Sequence, residues 1–155
     1  MKLLKFIISI IICQSAGIFG SLFTIDAVPD WYTTLIKPTF APPNWVFGPV
    51  WIGLYFLMSI SLYIVWVSEF KSKTRRDFFI VFGIQLVLNA IWSFLFFGLR
   101  SPLLGFVDIL LLDIMVIITI NYAKSISKVA AILLVPYLIW IVVASILNFG
   151  ILLLN

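Results

Sequence analysis

The segment WVFGPVWIGLYFLMSISLYIVWVS, residues 45–68, decides the fold class because its 24 residues carry no charged side chain. At about 1.5 Å per residue, a helix of this length crosses a hydrocarbon core of about 30 Å. At that depth only helices and closed barrels satisfy every backbone polar group. The segment therefore predicts a transmembrane helix.

Four more apolar stretches of similar length flank this segment, at about residues 3–25, 78–98, 102–122 and 129–153. The chain has 155 residues, of which 64% are hydrophobic and 10% charged, against roughly 45–50% and about 25% in soluble domains. We predict an all-α membrane protein, a five-transmembrane-helix bundle in one domain over residues 1–155, with a long structured loop between helices 1 and 2. A cleaved signal peptide in the first stretch is disfavoured, since the run is long and no A-x-A site follows it.

Polar residues and prolines predict several helix ends. Ser101 followed by Pro102 is typical of an N-cap and first helical position, and Ser127 and Asn44 are candidate caps of the fifth and second helices. Pro136 removes a backbone hydrogen bond inside the fifth helix and is expected to kink it.

Basic residues are distributed unequally between the two ends of such a bundle. The end with the N-terminus, the 2–3 loop and the 4–5 loop carries eight of them: Lys2, Lys5, Lys71, Lys73, Arg75, Arg76, Lys124 and Lys128. The other end carries only Lys37 and Arg100. By the positive-inside rule, the N-terminus is expected inside and the C-terminus outside a bacterial-type cytoplasmic membrane. The basic residues are thus assigned to topology, and no nucleic-acid partner is expected.

The absence of histidine and the single cysteine, Cys13, limit the possible chemistry. They exclude Cys/His zinc sites, histidine-ligated haem, Ser-His-Asp and Cys-His catalysis, and an intrachain disulfide. No metal site is predicted.

The segment DAVPDWYTTLIKPTFAPPN, residues 26–44, is long for a loop and rich in aromatic residues. Residues 30–37 are compatible with a short interfacial helix, and the prolines that follow favour an extended path. We interpret the segment as a lid over the outer mouth of the bundle. An interfacial anchor without a gating role is the alternative.

Polar and aromatic side chains recur at helical spacing on three of the predicted helices. The sets are Trp51, Tyr55 and Ser59; Gln85, Asn89, Trp92, Ser93 and Phe96; and Tyr137, Trp140, Ala144 and Asn148. Such stripes should face the bundle interior, where they predict an aromatic pocket for a flat, largely apolar ligand. Interhelical hydrogen bonding is the alternative interpretation.

Two further features have open roles. Asp108 and Asp113 lie inside the fourth predicted helix, where a carboxyl group is a functional candidate, for example in proton coupling. Cys13, Ala16, Gly17, Gly20 and Ser21 form a stripe of small residues on the first helix. This stripe favours close packing within the bundle over a dimer seam.

The chain resembles the TspO/MBR family, which comprises tryptophan-rich sensory proteins and translocator proteins (the peripheral benzodiazepine receptor family). The resemblance lies in WYTTLIKPTFAPPNWVFGPVWIGLYFLM at residues 31–58, QLVLNAIWSFLFF at residues 85–97 and PYLIWIVVASILN at residues 136–148. It implies a five-helix bundle, a homodimer in membrane lipid, and a pocket under the first loop for porphyrins, haem-like tetrapyrroles and drug-like ligands. Pocket candidates carried over by motif position are Trp31, Pro42, Pro43, Trp51, Asn89, Trp92, Trp140 and Ala144, while the stripes add Tyr55, Gln85, Ser93, Tyr137 and Asn148.

Three functions remain open at this point. The first is a receptor or carrier of tetrapyrroles in stress sensing or transport, which requires no cofactor because porphyrin or haem enters as the ligand. The second is light-dependent porphyrin degradation, in which the resemblance gives Trp51 and Trp140 a photochemical role. The third is a scaffold whose pocket is incidental, and a proton-coupled transporter that uses Asp113 is a further alternative. The sequence departs from the family at Phe40, where tryptophan is frequent, and it lacks the C-terminal sterol motif, so the sequence leaves sterol binding open.

Overall fold

The computed structural model describes residues 2–69 and 73–155, in which five long helices form a bundle. The helices are α1 (Lys2–Ala27), α2 (Asn44–Val67), α3 (Lys73–Ser93), α4 (Pro102–Ile126) and α5 (Lys128–Leu154). With their terminal extensions, all five are long and apolar enough to cross a membrane. The predicted all-α fold with five transmembrane helices is confirmed.

The helices close into a ring in the order α1, α2, α5, α4, α3. A large core fills the ring, with Tyr137, Met58, Phe78 and Ile141 fully buried. A smaller aromatic cluster around Tyr32 and Phe96 covers the end where α1 leads into α2 and α3 leads into α4. We call this the loop end of the bundle.

Both helices that approach the loop end finish in a widened π-helical turn, at Val28–Tyr32 after α1 and at Phe94–Gly98 after α3. The first turn contains Pro29, which has no N–H to donate in a regular α-helix. The chain therefore widens its helix at the proline and continues. The prediction that Trp31 lies in a loop, with a separate helix over residues 30–37, is wrong. The turn that contains Trp31 continues α1, and residues 35–37 are not helical.

Other helix boundaries differ from those predicted by hydropathy. The third helix begins at Lys73 instead of residue 78, and the fourth ends at Ile126 instead of residue 122. Charged and polar residues continue both helices because Lys, Arg and Ser are compatible with helical backbone. The Arg75 guanidinium donates to the Ser68 carbonyl at 2.9 Å. Lys71, part of the predicted basic loop, lies outside the described residues.

Two of the three predicted N-caps are confirmed. The Leu104 N–H donates to Ser101 Oγ at 3.3 Å, and the Ala130 N–H donates to Ser127 Oγ at the same distance. The predicted Asn44 cap is wrong, since Pro43 holds the cap position and Asn44 is already helical. Pro136 lies inside the continuous helix α5.

The stripe of small residues on α1 packs inside the bundle. Cys13, Ala16 and Gly20 are buried. A methyl group on Gly17 would lie 2.9 Å from Tyr55 Cδ2, and one on Gly20 would lie 2.7 Å from Ser93 Oγ. Close approach of α1 to α2 and α3 therefore requires glycine at both positions.

Candidate ligand-binding cavity

A cavity of about 430 Å³ lies among α1, α2, α3 and α5 in the half of the bundle nearer the loop end. Its volume falls in the range of about 300–1,000 Å³ that is typical of small-molecule sites. Eight of the predicted site residues line it: Trp51, Tyr55, Asn89, Trp92, Ser93, Trp140, Ala144 and Asn148. The three stripes thus converge on one cavity.

Aromatic rings form most of the cavity wall. Trp51 stacks on Tyr55 with ring centroids 5.5 Å apart and an interplanar angle of 25°. Trp92 stacks on Phe96 at 5.2 Å and 15°. Such packing fixes the ring orientations and presents flat apolar faces to an occupant.

A chain of hydrogen bonds runs from the cavity wall into the core. The Tyr55 hydroxyl donates to Asn89 Oδ1, and Asn89 Nδ2 donates to the Tyr137 hydroxyl at 3.0 Å. The Tyr137 hydroxyl donates to Gln85 Oε1 at 2.9 Å. These bonds join α2, α3 and α5. The interhelical hydrogen bonding that the sequence left open is therefore present, and Asn89 lines the cavity as well.

Two buried donors lack a partner among the described residues. One is the indole Nε1 of Trp140, which lies in the cavity wall, and the other is Gln85 Nε2 at the end of the hydrogen-bond chain. A buried donor without a partner costs free energy. Because the Trp140 Nε1 atom has almost no accessible surface, a ligand could bond it only if the indole ring moved.

Five predicted site residues do not line the cavity. Tyr137 lies behind the wall as a partner of Asn89, and Gln85 lies there as a partner of Tyr137. Trp31 packs edge-to-face on Phe96 with centroids 5.5 Å apart. Pro42 and Pro43 lie just before α2 and are absent from the cavity wall. Direct contact of these two prolines with a ligand stays a prediction.

The segment between Tyr32 and Asn44 rests on the C-terminal end of α5. The Ile36 N–H donates to Asn155 Oδ1 at 3.0 Å, and Asn155 Nδ2 donates to the Ile36 carbonyl at 2.9 Å. The Pro38 ring lies against Gly150. Tyr32 and Asn44, at the two ends of the segment, line the cavity. The segment is thus held at the loop end by contacts beside the cavity.

Several wall residues were not selected from the sequence, although helical spacing marks some of them. Phe47 precedes Trp51 by four residues, and Val28 and Tyr32 share that spacing on the extension of α1. Continuing the second-helix stripe back by one turn would have found Phe47, and continuing the first helix past residue 25 would have found Val28 and Tyr32. Ile18 and Ile52 line the cavity yet are 65% and 63% exposed. The cavity therefore reaches the outer surface between α1 and α2.

The two carboxyl groups of α4 lie away from the cavity wall. The Ser145 hydroxyl donates to Asp113 Oδ2 at 2.7 Å, which links α4 to α5. Asp108 is buried, and its Oδ2 atom has no partner among the described residues. Asp113 therefore contacts a polar residue of the neighbouring helix α5.

These features define an integral membrane protein with an aromatic, ligand-sized cavity. A model of the TspO/MBR family matches residues 9–154. The chain is 52% identical to the tryptophan-rich protein TspO of Archaeoglobus fulgidus, over 100% of this chain and 99% of that protein. It is 34% identical to protein CrtK of Rhodobacter capsulatus, over 100% and 95% of the two chains. It is 38% identical to the translocator protein of Homo sapiens, over 89% of this chain and 83% of that protein.

The chain belongs to the TspO/MBR family. Membership of this family and the five apolar helices support a receptor or transporter role in a membrane.

Proposed function

We propose that the protein is a membrane receptor or carrier that binds porphyrins or haem-like tetrapyrroles in the cavity, in stress sensing or tetrapyrrole transport. The convergence of Trp51, Trp92 and Trp140 on one cavity with Asn89 supports this proposal most directly. Flat aromatic faces suit a flat conjugated ring. Flat, largely apolar drug-like ligands satisfy the same requirement.

The binding experiment uses protoporphyrin IX and the purified protein in mild detergent, with tryptophan fluorescence quenching as the readout. Trp51→Ala removes a stacking face, and Asn89→Ala removes one of the amides of the cavity wall. Each variant should weaken binding by about tenfold or more, which corresponds to about 1.4 kcal/mol. Trp45→Ala is the control, because Trp45 lies on the same helix as Trp51 but is 74% exposed and outside the cavity wall. Equal affinities for all four proteins would reject the proposal.

Light-dependent porphyrin degradation is a second candidate, favoured by one observation. Both tryptophans that the family resemblance connects with photochemistry, Trp51 and Trp140, line the same cavity. Loss of protoporphyrin under light, with none in the dark, would support this candidate. No comparable observation favours proton-coupled transport, because Asp113 accepts a hydrogen bond from Ser145 and does not line the cavity.

The orientation and assembly follow as parts of the proposal. The described basic residues at the end opposite the loop end favour that end in the cytoplasm. The proposed assembly is a homodimer in membrane lipid, as the family resemblance implies.

A further inference from the structure

Gly105 of α4 lies directly behind the cavity wall. A methyl group at this position would lie 2.8 Å from Phe96 Cδ2 and 3.0 Å from Asn148 Oδ1. Ordinary contact between carbon atoms is about 3.5–4.0 Å. Any side chain at position 105 would therefore displace Phe96, Asn148 or both.

Phe96 and Asn148 hold a third wall residue, Trp92. Trp92 stacks on Phe96, and its indole Nε1 donates to Asn148 Oδ1 at 3.3 Å. Asn148 Nδ2 in turn donates to the Pro102 carbonyl of α4 at 2.8 Å. We call Trp92, Phe96 and Asn148 the wall panel. All three residues line the cavity, and α4 supports the panel from behind although no residue of α4 lines the cavity.

The wall panel has space to move in one direction only. Phe96 is 2% exposed and Asn148 is 1% exposed. Trp31 and Phe97 pack against Phe96, with centroids 5.5 and 4.9 Å away. Close-packed interiors transmit such a displacement instead of absorbing it. A side chain at position 105 would therefore push the wall panel into the cavity.

On the basis of the proposed ligand-binding function, we infer that Gly105 is a positioning residue that sets the largest ligand the cavity accepts. The backbone of α4 approaches the wall panel closely because Gly105 has no side chain. As a result the cavity keeps its volume, and a residue that does not line the cavity limits the size of the ligand.

The test measures the access of thiol reagents of graded size and needs no tetrapyrrole. Ser93→Cys places a thiol in the cavity wall, one helical turn from Phe96, with little change in side-chain volume. Methyl and bulky aromatic methanethiosulfonates are reacted with this parent protein, and mass spectrometry follows each cysteine. Cys13 is fully buried, so its labelling reports loss of the fold.

Adding Gly105→Ala should slow the aromatic reagent by about tenfold, the lower end of an overpacking cost, and leave the methyl reagent nearly unchanged. Gly53→Ala is the matched control, since a methyl group at Gly53 has no neighbour within 4 Å among the described residues. Equal rates with Gly105→Ala and the parent, or equal slowing by Gly53→Ala, would overturn the inference.

Phe96→Leu provides the compensating change. Added to Gly105→Ala, it should restore the rate of the aromatic reagent, because the smaller side chain removes the closest contact. If Gly105→Ala alone exposes Cys13, the comparison is made in the Phe96→Leu protein, where adding Gly105→Ala should slow the aromatic reagent. No slowing there would overturn the inference. If the thiol reagents react at the expected rates but protoporphyrin does not bind, the proposed ligand is rejected and the role of Gly105 stands.

Discussion

Asn89 Nδ2 donates to the Tyr137 hydroxyl at 3.0 Å, so a residue of the cavity wall is held in place by one that does not touch the cavity. The two residues lie on α3 and α5, and the Tyr55 hydroxyl of α2 donates to the same amide. Three helices therefore fix the Asn89 side chain. The same hydrogen bonds that join the helices also orient the amide toward the cavity.

The first prediction separates these two effects of the hydrogen-bond chain. Tyr137→Phe removes the hydroxyl that Asn89 and Gln85 share, and it should lower stability by about 0.6–2 kcal/mol, the range for polar contacts between membrane helices. Protoporphyrin affinity should change less than with Asn89→Ala, because Tyr137 is not part of the wall. Thermal unfolding in detergent and fluorescence quenching measure the two quantities.

A Tyr137→Phe protein that loses as much affinity as Asn89→Ala would contradict this separation. It would mean that the wall amide cannot hold its orientation without the tyrosine.

The second prediction concerns the segment between Tyr32 and Asn44. Asn155→Ala removes both hydrogen bonds to Ile36, so chymotrypsin should cleave after the exposed Phe40 faster than in the unmodified protein. Saturating protoporphyrin should slow this cleavage, since Tyr32 and Asn44 line the cavity. Asn121→Ala, an exposed change on α4, is the control. Identical cleavage with and without protoporphyrin would reject a lid role.

The third prediction concerns orientation. Lys37 and Arg100 are the described basic residues of the loop end, against seven described basic residues at the other end. A reporter active only in the cytoplasm should therefore be silent when fused after Asn155 and active when fused before Met1. Strong activity of the fusion after Asn155 would reverse the proposed orientation and place the cavity in the cytoplasmic half of the membrane.

The sequence predicted the helices better than their ends. Long apolar stretches predicted five spans, but hydropathy does not register Lys73 as helical, and the predicted first helix ended at residue 25, before the turn in which the helix widens. Helical spacing brought Trp51, Asn89 and Trp140 to one cavity. The same spacing could not separate Tyr137, which faces the core, from Trp140, which faces the cavity. That distinction depends on the rotation of α5 against α2 and α3, which only packing sets.

The importance of Gly105 was likewise not visible in the sequence, because it depends on a contact between α4 and residues of two other helices. A lone glycine in an apolar stretch carries no pattern that would indicate such a contact.

The last prediction concerns the tryptophan pair and distinguishes binding from photochemistry. Trp51 stacks on Tyr55, and Trp140 packs edge-to-face on Phe47 with centroids 6.0 Å apart. A phenylalanine at either position keeps an aromatic face and should cost about 1 kcal/mol of stacking, less than tenfold in Kd. It removes the oxidisable indole, however. Trp51→Phe and Trp140→Phe should therefore retain quenching by protoporphyrin and lose most light-driven ligand loss.

The measurement follows protoporphyrin absorbance under illumination with oxygen, and a dark sample corrects for spontaneous decay. Trp45→Phe is the matched control, since it removes an indole outside the cavity wall. This variant should bleach protoporphyrin as fast as the unmodified protein does. If both cavity variants bleach protoporphyrin as fast as the unmodified protein, Trp51 and Trp140 serve as cavity wall alone. The degradation candidate would then lose its structural support, because its two indoles would have no chemical role.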